Sequence, residues 1–244
     1  GTALLFLLFF LIAHGSHIID GKKAPENSMQ YMASVQNNNS HHVCGGFLIT
    51  EDFVVSAAHC NKYNPTYVVL GNHNLKNGNH QKIKIENKII HENYQQIGQG
   101  NDIMLIKLSE KAHLGHMVRT IQLPPEEIHL QENQVCQVAG WGKTKTDANK
   151  PVDELMVVDV SVIEKQVCGY GTDKGFCQVC VLFSLKVKLG DSGGPLVCQG
   201  LAVGIVSYNH NGICNYPEEP NVYTDITKYV QWINKTVTGR NSLV

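Results

Sequence analysis

The feature that most limits the fold of this chain is a long series of short runs rich in β-branched and aromatic residues. Clusters of Asn, Gly, Pro and His separate the runs, and this pattern is typical of strands in an all-β domain. The runs are residues 31–36, 43–50, 53–58, 66–70, 83–90, 103–108, 134–141, 155–163 and 195–208. Only residues 226–233 have helical spacing, with Thr224 or Thr227 able to cap the helix. The pattern predicts two β-barrel halves that meet near residues 110–130, followed by a C-terminal α-helix.

Length and charge narrow the class of protein. With 244 residues, the chain can form one large all-β domain or two small ones with a buried core. Its 20 Lys and Arg nearly balance 21 Asp and Glu, which leaves a formal net charge of -1. No basic stripe of the kind that binds nucleic acid is present, so we expect no nucleic-acid partner.

The first residues resemble a secretory leader. Residues 3–13 form an apolar run that is too short to span a bilayer, and Ala13-His14-Gly15 suits signal-peptide cleavage. We expect residues 1–15 to be a signal peptide that lacks its beginning. No other run is long enough to form a membrane span, so the expected location is extracellular or in a secretory granule.

Eight cysteines fit that compartment, because disulfides persist where the surroundings are oxidising. Their spacing lacks the paired ligands of a zinc site, and we expect neither a metal nor a cofactor. Asn38 and Asn234 begin Asn-X-Ser/Thr sequons, which matter only in a secreted chain. The cysteines are Cys44, Cys60, Cys136, Cys168, Cys177, Cys180, Cys198 and Cys214.

Three short motifs can supply nucleophilic catalysis. In Gly190-Asp191-Ser192-Gly193-Gly194-Pro195, flanking glycines allow a tight turn that exposes the Ser192 hydroxyl. A serine nucleophile needs a histidine base and a carboxylate to orient that base. His59, in Ala-Ala-His-Cys, and Asp102, before Ile-Met-Leu, are candidates for these roles. Each motif alone is ordinary; their combination and order are specific.

In that order the motifs resemble the trypsin/chymotrypsin family of serine proteases, and by general look the granzyme and mast-cell protease branch. The resemblance runs from Ile18 to about Val237. It also includes Val-Cys-Gly-Gly-Phe-Leu-Ile from Val43, Ala-Gly-Trp-Gly from Ala139 and Pro-Asn-Val-Tyr-Thr from Pro220. It implies two six-stranded antiparallel β-barrels and a C-terminal α-helix.

The resemblance also implies roles for individual residues. Ser192 would be the nucleophile, His59 the general base and then acid, and Asp102 the residue that orients the imidazole. The backbone N–H groups of Gly190 and Ser192 would form the oxyanion hole. An extended substrate would pair with the edge strand Ser207-Tyr208-Asn209 by β-augmentation.

Activation is implied by the same resemblance. Asp191 would form an ion pair with the α-amino group of Ile18 after removal of the dipeptide Ser16-His17, leaving a protease domain of residues 18–244. No Arg or Lys directly precedes Ile18, so trypsin-like cleavage is not expected there. The chain would therefore be made as a zymogen.

Cys44–Cys60 and Cys136–Cys198 match disulfides of the family, but residues 168–189 depart from its pattern. In one alignment Cys168 pairs with Cys177, which leaves Cys180 and Cys214 to pair. In the other, Cys177 pairs with Cys214 and residues 179–189 are an insertion. The close match of Lys-Gly-Phe-Cys-Gln, ending at Gln178, favours the second alignment.

Substrate preference follows from the same alignment. Gly175 would lie at the base of the specificity pocket, with Gln178 nearby and Asn209 and Asn221 on its walls. In the other alignment Lys186 lies at the base, and neither choice is an aspartate. We therefore expect a small or medium apolar side chain to be preferred over Arg or Lys. Calcium is not expected, because the loop of residues 71–80 lacks the carboxylates that hard cations need.

The sequence leaves two functions open. The first is a secreted serine endopeptidase that acts on proteins and peptides through an acyl-enzyme, as a monomer, and is bound by protein protease inhibitors. The second is a catalytically impaired homologue acting as a secreted binding or defence protein. An insertion directly before Gly190 favours the second, because oxyanion-hole donors must be held to within roughly 0.5 Å.

Overall fold

The computed structural model of the chain describes residues 22–126, 128, 130–142, 152–162, 178–182, 191–209 and 221–239. At residues 178–182, 208, 209 and 221 it describes the backbone alone. The elements are β1 Lys22–Lys23, β2 Met32–Asn37, β3 His42–Thr50, β4 Phe53–Ser56, β5 Pro65–Leu70, β6 Gln81–Ile90, β7 Met104–Leu108, β8 Val135–Gly140, β9 Met156–Val162, β10 Gln178–Leu182, β11 Pro195–Cys198, β12 Leu201–Asn209, β13 Asn221–Asp225 and α1 Val230–Gly239. Two 3-10 turns, Ala58–Tyr63 and Ile226–Tyr229, complete the described elements.

Six antiparallel strands close the first barrel in the order β2-β3-β4-β7-β6-β5. Strand β7 is apolar except for Lys107, in keeping with its position between β4 and β6 in the barrel wall. Phe47, Leu48 and Leu105 are wholly buried in its core. Burying a large apolar side chain contributes about 1.5–3 kcal/mol, so these three residues contribute several kcal/mol to stability.

The second barrel closes through the order β8-β9-β10-β13-β12-β11, with β11 pairing back onto β8. Strand β1 adds to β9 from outside, through the pairs Lys22 with Val157 and Lys23 with Met156. Val138, Leu196 and Tyr223 lie in the core of this barrel. The prediction of an all-β fold with two six-stranded antiparallel barrels and a C-terminal helix is confirmed.

Strand β10 shows where the first part of the predicted insertion, residues 179–182, lies in the fold. Residues 179–182 lie inside the second barrel, where β10 pairs with β13 on one side and β9 on the other. Val179 is opposite Tyr223 and Val181 is opposite Val162. An inner strand with two partners belongs to the barrel wall, so this segment does not begin as a loop bulging from the surface.

The C-terminal helix follows the second barrel but packs on the first. Tyr229, Val230 and Ile233 share one apolar cluster with first-barrel residues such as Leu105. The residue that caps its leading 3-10 turn is Asp225, whose side chain accepts the N–H of Thr227 at 3.0 Å, and not Thr224 or Thr227. None of the helices in the described part of the chain is long and apolar enough to cross a membrane.

Candidate active site

His59 lies in the 3-10 turn that directly follows β4. The disulfide Cys44–Cys60 ties this turn to β3. His59 is 7% exposed, and Cys60 Sγ lies 3.9 Å from its Nε2. The turn is therefore fixed covalently at the residue next to the imidazole.

Asp102 is buried at the start of β7 and orients the His59 ring. Its Oδ2 lies 2.7 Å from His59 Nδ1, and its Oδ1 accepts the His59 backbone N–H at 2.9 Å. From the second barrel, the Ser207 hydroxyl donates to Oδ2 at 2.5 Å and the Thr224 hydroxyl donates to the Asp102 carbonyl at 3.1 Å. Both barrels thus hold the one carboxylate.

The charge of Asp102 is favoured in spite of its burial. Burial by itself would raise the pKa of this carboxyl group, but hydrogen bonds from His59 and Ser207 and the charge of His59 outweigh it and lower the pKa. Burial, with the charge of Asp102, also raises the pKa of Tyr94 to about 12. Asp102 is therefore an anion at neutral pH, as its orienting role requires.

Ser192 lies in a turn that is bonded to both barrels. Its carbonyl accepts the N–H of Gly45 from β3 at 2.9 Å. The next residue, Gly193, donates to Val206 of β12 at 2.8 Å. Gly193 has φ +87°, and a Cβ there would overlap Ser56 Oγ. Glycine is required at this position by both its backbone conformation and the lack of space.

The carboxylate of Asp191 contacts the residues at the end of strand β8. Its Oδ1 accepts the N–H of Gly142 at 2.8 Å. A Cβ at either Gly140 or Gly142 would overlap this carboxylate. The two glycines therefore make the space that the Asp191 side chain occupies.

A second hydrogen-bonded histidine lies on β3. Ser34 Oγ is 2.8 Å from His42 Nδ1, and the His42 ring lies 5.6 Å from the Trp141 ring. Trp141 Nε1 donates to the carbonyl of His73 at 2.9 Å. These contacts join β2, β3 and the end of β8.

The arrangement is suited to nucleophilic catalysis at a serine. His59 and Asp102 come from the first barrel, and the Ser192 turn comes from the second and binds Gly45 of the first. A hydrogen bond between Ser192 Oγ and His59 Nε2 is not among the contacts of the described residues; in serine proteases this bond can be loose before substrate binds. The oriented imidazole can serve as the base for the Ser192 hydroxyl.

The residues predicted to pair with an extended substrate lie at the end of strand β12. Strand β12 carries Ser207, Tyr208 and Asn209, and Asn209 lies opposite Asn221 of β13. Gln178 begins β10, opposite Thr224. Ser207 uses its hydroxyl on Asp102, a role that the sequence analysis did not assign.

Several predicted sites fall outside the described residues. They are the leader of residues 1–15, the dipeptide 16–17, Ile18, Gly175, Gly190 and the cysteine pair Cys177–Cys214. Cys136 and Cys198 are joined by a disulfide between β8 and β11.

Among the described residues, two groups that contain possible metal ligands are engaged in other contacts. The sulfur atoms of Cys44 and Cys60 lie near His59 but are bonded to each other. In the loop of residues 71–80, the side-chain amide of Asn72 donates to the carbonyls of Asn77 and Asn79 at 3.2 and 3.3 Å. These hydrogen bonds occupy the carbonyl oxygens of Asn77 and Asn79, which a calcium ion in this loop would need as ligands.

Sequence reasoning missed three residues around Asp102. Thr224 was considered only as a cap, yet it donates to the Asp102 carbonyl. Asn101, at φ +56°, accepts a hydrogen bond from the Tyr229 hydroxyl at 3.1 Å. More than 100 residues separate the partners in each pair, so no local pattern in the sequence could have revealed these contacts.

Comparison with known proteins agrees with this geometry. The family model described as Trypsin matches residues 18–233. Granzyme-like protein 2 of Rattus norvegicus is 40% identical, over 96% of this chain and 97% of its own length. Duodenase-1 of Bos taurus is 38% identical, over 96% of each chain. Chymase of Cavia porcellus is 38% identical over 95% of each chain.

The solved structures include a similar fold. Neuropsin, a serine protease expressed in the limbic system of mouse brain, superposes with a TM-score of 0.80 at 32% sequence identity. The match covers 89% of this chain and 98% of neuropsin. The likeness therefore extends over both barrels.

Proposed function

We propose that this chain, which belongs to the trypsin family and is a serine-type endopeptidase, is secreted as a zymogen and cleaves proteins through an acyl-enzyme on Ser192. The observation that carries the proposal is the buried His59–Asp102 pair, held by donors from both barrels. A histidine in this state can take the Ser192 proton and return it to the leaving amine.

The substrate is a polypeptide in extended form. Its backbone would pair with the edge of β12 at Ser207, Tyr208 and Asn209, so that backbone hydrogen bonds supply affinity. The oxyanion would be held by the N–H groups of Gly190 and Ser192. Because asparagines stand at positions 209 and 221, we infer a narrow pocket that takes a small or medium apolar side chain. A monomer that protein protease inhibitors can bind fits this open strand edge.

A fluorophosphonate probe tests the nucleophile. The protein beginning at Ile18 should be labelled covalently, and Ser192→Ala should abolish labelling and lower kcat by roughly a millionfold. An unchanged unfolding transition in Ser192→Ala would show that the fold is intact. If the trimmed wild-type protein folds but is not labelled, the chain is the catalytically impaired homologue instead.

A further inference from the structure

The hairpin tip between β2 and β3 carries a sequon that catalysis does not use. Asn38, Asn39 and Ser40 are all exposed at this tip. The sequence Asn-X-Ser is the acceptor for N-linked glycosylation, which requires the glycan to project into solvent. The tip therefore combines the acceptor motif with the exposure that a bulky hydrophilic group needs.

The turn is held by Asn37 and not by Asn38. The side chain of Asn37 accepts the N–H groups of Asn39 and His41 at 3.0 and 3.1 Å, and its carbonyl accepts the N–H of Ser40 at 3.0 Å. Among the described residues, no hydrogen bond, ion pair or ring contact involves the Asn38 side chain. A group attached to Asn38 would therefore leave the turn intact.

The second sequon is placed differently. Asn234 and Thr236 lie within helix α1, whereas Asn38 and Ser40 lie in the turn after β2; the hydroxyls of Ser40 and Thr236 are both hydrogen-bonded, to Lys82 and to the Trp232 carbonyl. Acceptor sequons are typical of surface loops. The hairpin tip is consequently the better placed of the two sites.

We propose that Asn38 is the attachment site of an N-linked glycan, an inference that rests on the proposed secretion of the chain. The side-chain amide nitrogen of Asn38 forms a bond to the anomeric carbon of a lipid-linked oligosaccharide. The bond from that carbon to the lipid pyrophosphate breaks, the pyrophosphate leaves with the bonding electrons, and the amide nitrogen loses one proton.

The glycan would stand near the catalytic centre without touching it. Strand β3 runs from the tip to Gly45, whose N–H donates to the Ser192 carbonyl. At about 3.4 Å per residue, His41 lies roughly 14 Å from Gly45 along the strand. Removing the glycan should therefore leave labelling by a small probe unchanged.

The test compares neighbouring asparagines on the same tip. The chain from Ser16, placed behind a complete secretory signal peptide, is expressed in mammalian cells, and protein from the medium is treated with an amidase that removes N-linked glycans. Wild type and Asn39→Gln, which keeps the sequon, should both lose mass at Asn38 on treatment. Asn38→Gln should lack that glycan and still be labelled by the fluorophosphonate probe.

Three results would overturn the assignment. Secreted, probe-reactive wild-type protein with an unmodified Asn38 peptide would refute the glycan alone and leave the proposed function standing. A mass loss abolished only by Asn234→Gln would place the glycan on the helix. Protein retained in the endoplasmic reticulum without a glycan would also refute the Asn38 site, whereas absence of labelling would count against the protease activity only.

Discussion

At the scale of single residues, Asp102 shows how this fold keeps a charge inside the protein. Removing a carboxylate from water costs several kcal/mol unless hydrogen bonds compensate for it. Here the compensating donors come from the His59 backbone and ring and from the Ser207 hydroxyl. The contacts that stabilise the anion are the same contacts that orient the catalytic imidazole.

Asp102→Asn should separate the effect of the charge at position 102 from the effect of the side chain's shape. The amide has nearly the same size but favours the wrong imidazole tautomer, so we expect kcat to fall by roughly 10⁴-fold. Since the folded state lowers the pKa of Asp102, ionisation stabilises the wild type above about pH 4, and this contribution is lost as the pH falls through the folded-state pKa. Unfolding free energies of both proteins, measured by denaturant titration from neutral to acid pH, should converge at acid pH.

The control for Asp102→Asn is Asp159→Asn. Asp159 lies on β9 and bonds Gln137 at the surface, so this change removes a carboxylate far from the imidazole. Its kcat should match that of the wild type. A stability difference between Asp102→Asn and wild type that is constant from neutral to acid pH would contradict the lowered pKa.

Two glycines with positive φ allow the cost of a left-handed backbone to be separated from the cost of steric overlap by an added Cβ. Gly200 has φ +80° with no atom within 4 Å of a Cβ, whereas a Cβ at Gly193 would also approach Gly45 O to 2.5 Å. Gly200→Ala should cost about 1–2 kcal/mol in unfolding free energy, from the left-handed backbone alone, and keep kcat. Gly193→Ala should cost more and reduce kcat, because the nucleophile turn must move. Equal costs with unchanged kcat would show that the turn accommodates the methyl group.

The motifs around His59, Asp102 and Ser192 could be found in the sequence because each is local. The hydroxyls of Ser207 and Thr224 could not be assigned to Asp102 in the same way, since their contact depends on how β12 and β13 pack against the first barrel. A sequence pattern identifies reactive side chains within a segment. The residues that polarise and hold those side chains are brought next to them only when the chain folds.

At the scale of elements, the 3-10 turn that leads into helix α1 connects the end of the chain to the catalytic carboxylate. The Tyr229 hydroxyl donates to Asn101 Oδ1, and Asn101 Nδ2 donates to the carbonyl of Asn93 at 3.2 Å. Asn101 has a left-handed backbone and directly precedes Asp102. These bonds favour a strained conformation at the residue that leads into Asp102.

Tyr229→Phe should therefore affect catalysis through Asn101. The ring remains to pack against His91, whose ring lies 5.1 Å away, while the bond to Asn101 is lost. A hydrogen bond contributes about 1 kcal/mol, so kcat should fall by up to about fivefold with little change in KM. Steady-state kinetics with a short peptide substrate would measure both constants.

Trp232→Phe, in helix α1 three residues beyond Tyr229, is the matched control. It removes the bond from Trp232 Nε1 to Glu92 Oε2, at 3.0 Å, which does not involve Asn101. The unfolding free energy should decrease while kcat stays unchanged. If both variants lower kcat equally, the effect is a general loosening of the helix, and Tyr229 does not position Asp102.

Prediction at this scale worked where a strand or helix has its own signal and was wrong where it depends on a partner. The short apolar runs predicted most strands of both barrels, and spacing predicted the helix. Residues 178–182 were not predicted to form a strand, yet β9 and β13 pair with this segment on its two sides. Pairing partners far along the chain made this segment a strand.

At the scale of the whole molecule, the two barrels share one catalytic site. The larger apolar cluster joins both barrels, for example Leu105 and Ile205, and the described contacts across the site converge on Asp102 and on the Ser192 turn. Relative motion of the barrels would separate the base from the nucleophile. A change at the boundary between them is therefore a natural place for activity to be regulated.

Asp191 is the residue through which we expect activation to act. It precedes Ser192, its carboxylate contacts Gly142 at the end of β8, and its carbonyl accepts the Gly194 N–H at 2.9 Å. A new ion pair between Asp191 and the α-amino group of Ile18 would hold the peptide bond next to the nucleophile. A buried pair that forms only after cleavage works as a switch whatever its net stability.

Three proteins that differ only at the N-terminus test this switch. Protein beginning at Ile18 should be labelled by the fluorophosphonate probe, whereas protein beginning at Ser16 should be labelled far more slowly. Protein acetylated at Ile18 keeps the isoleucine side chain and the chain length but lacks the charge, so it should behave like the uncleaved form. Equal labelling rates before and after removal of Ser16-His17 would refute activation at Ile18. If the acetylated protein is labelled as fast as the free Ile18 protein while the Ser16 protein is labelled slowly, chain length and not the ion pair with Asp191 sets the active state.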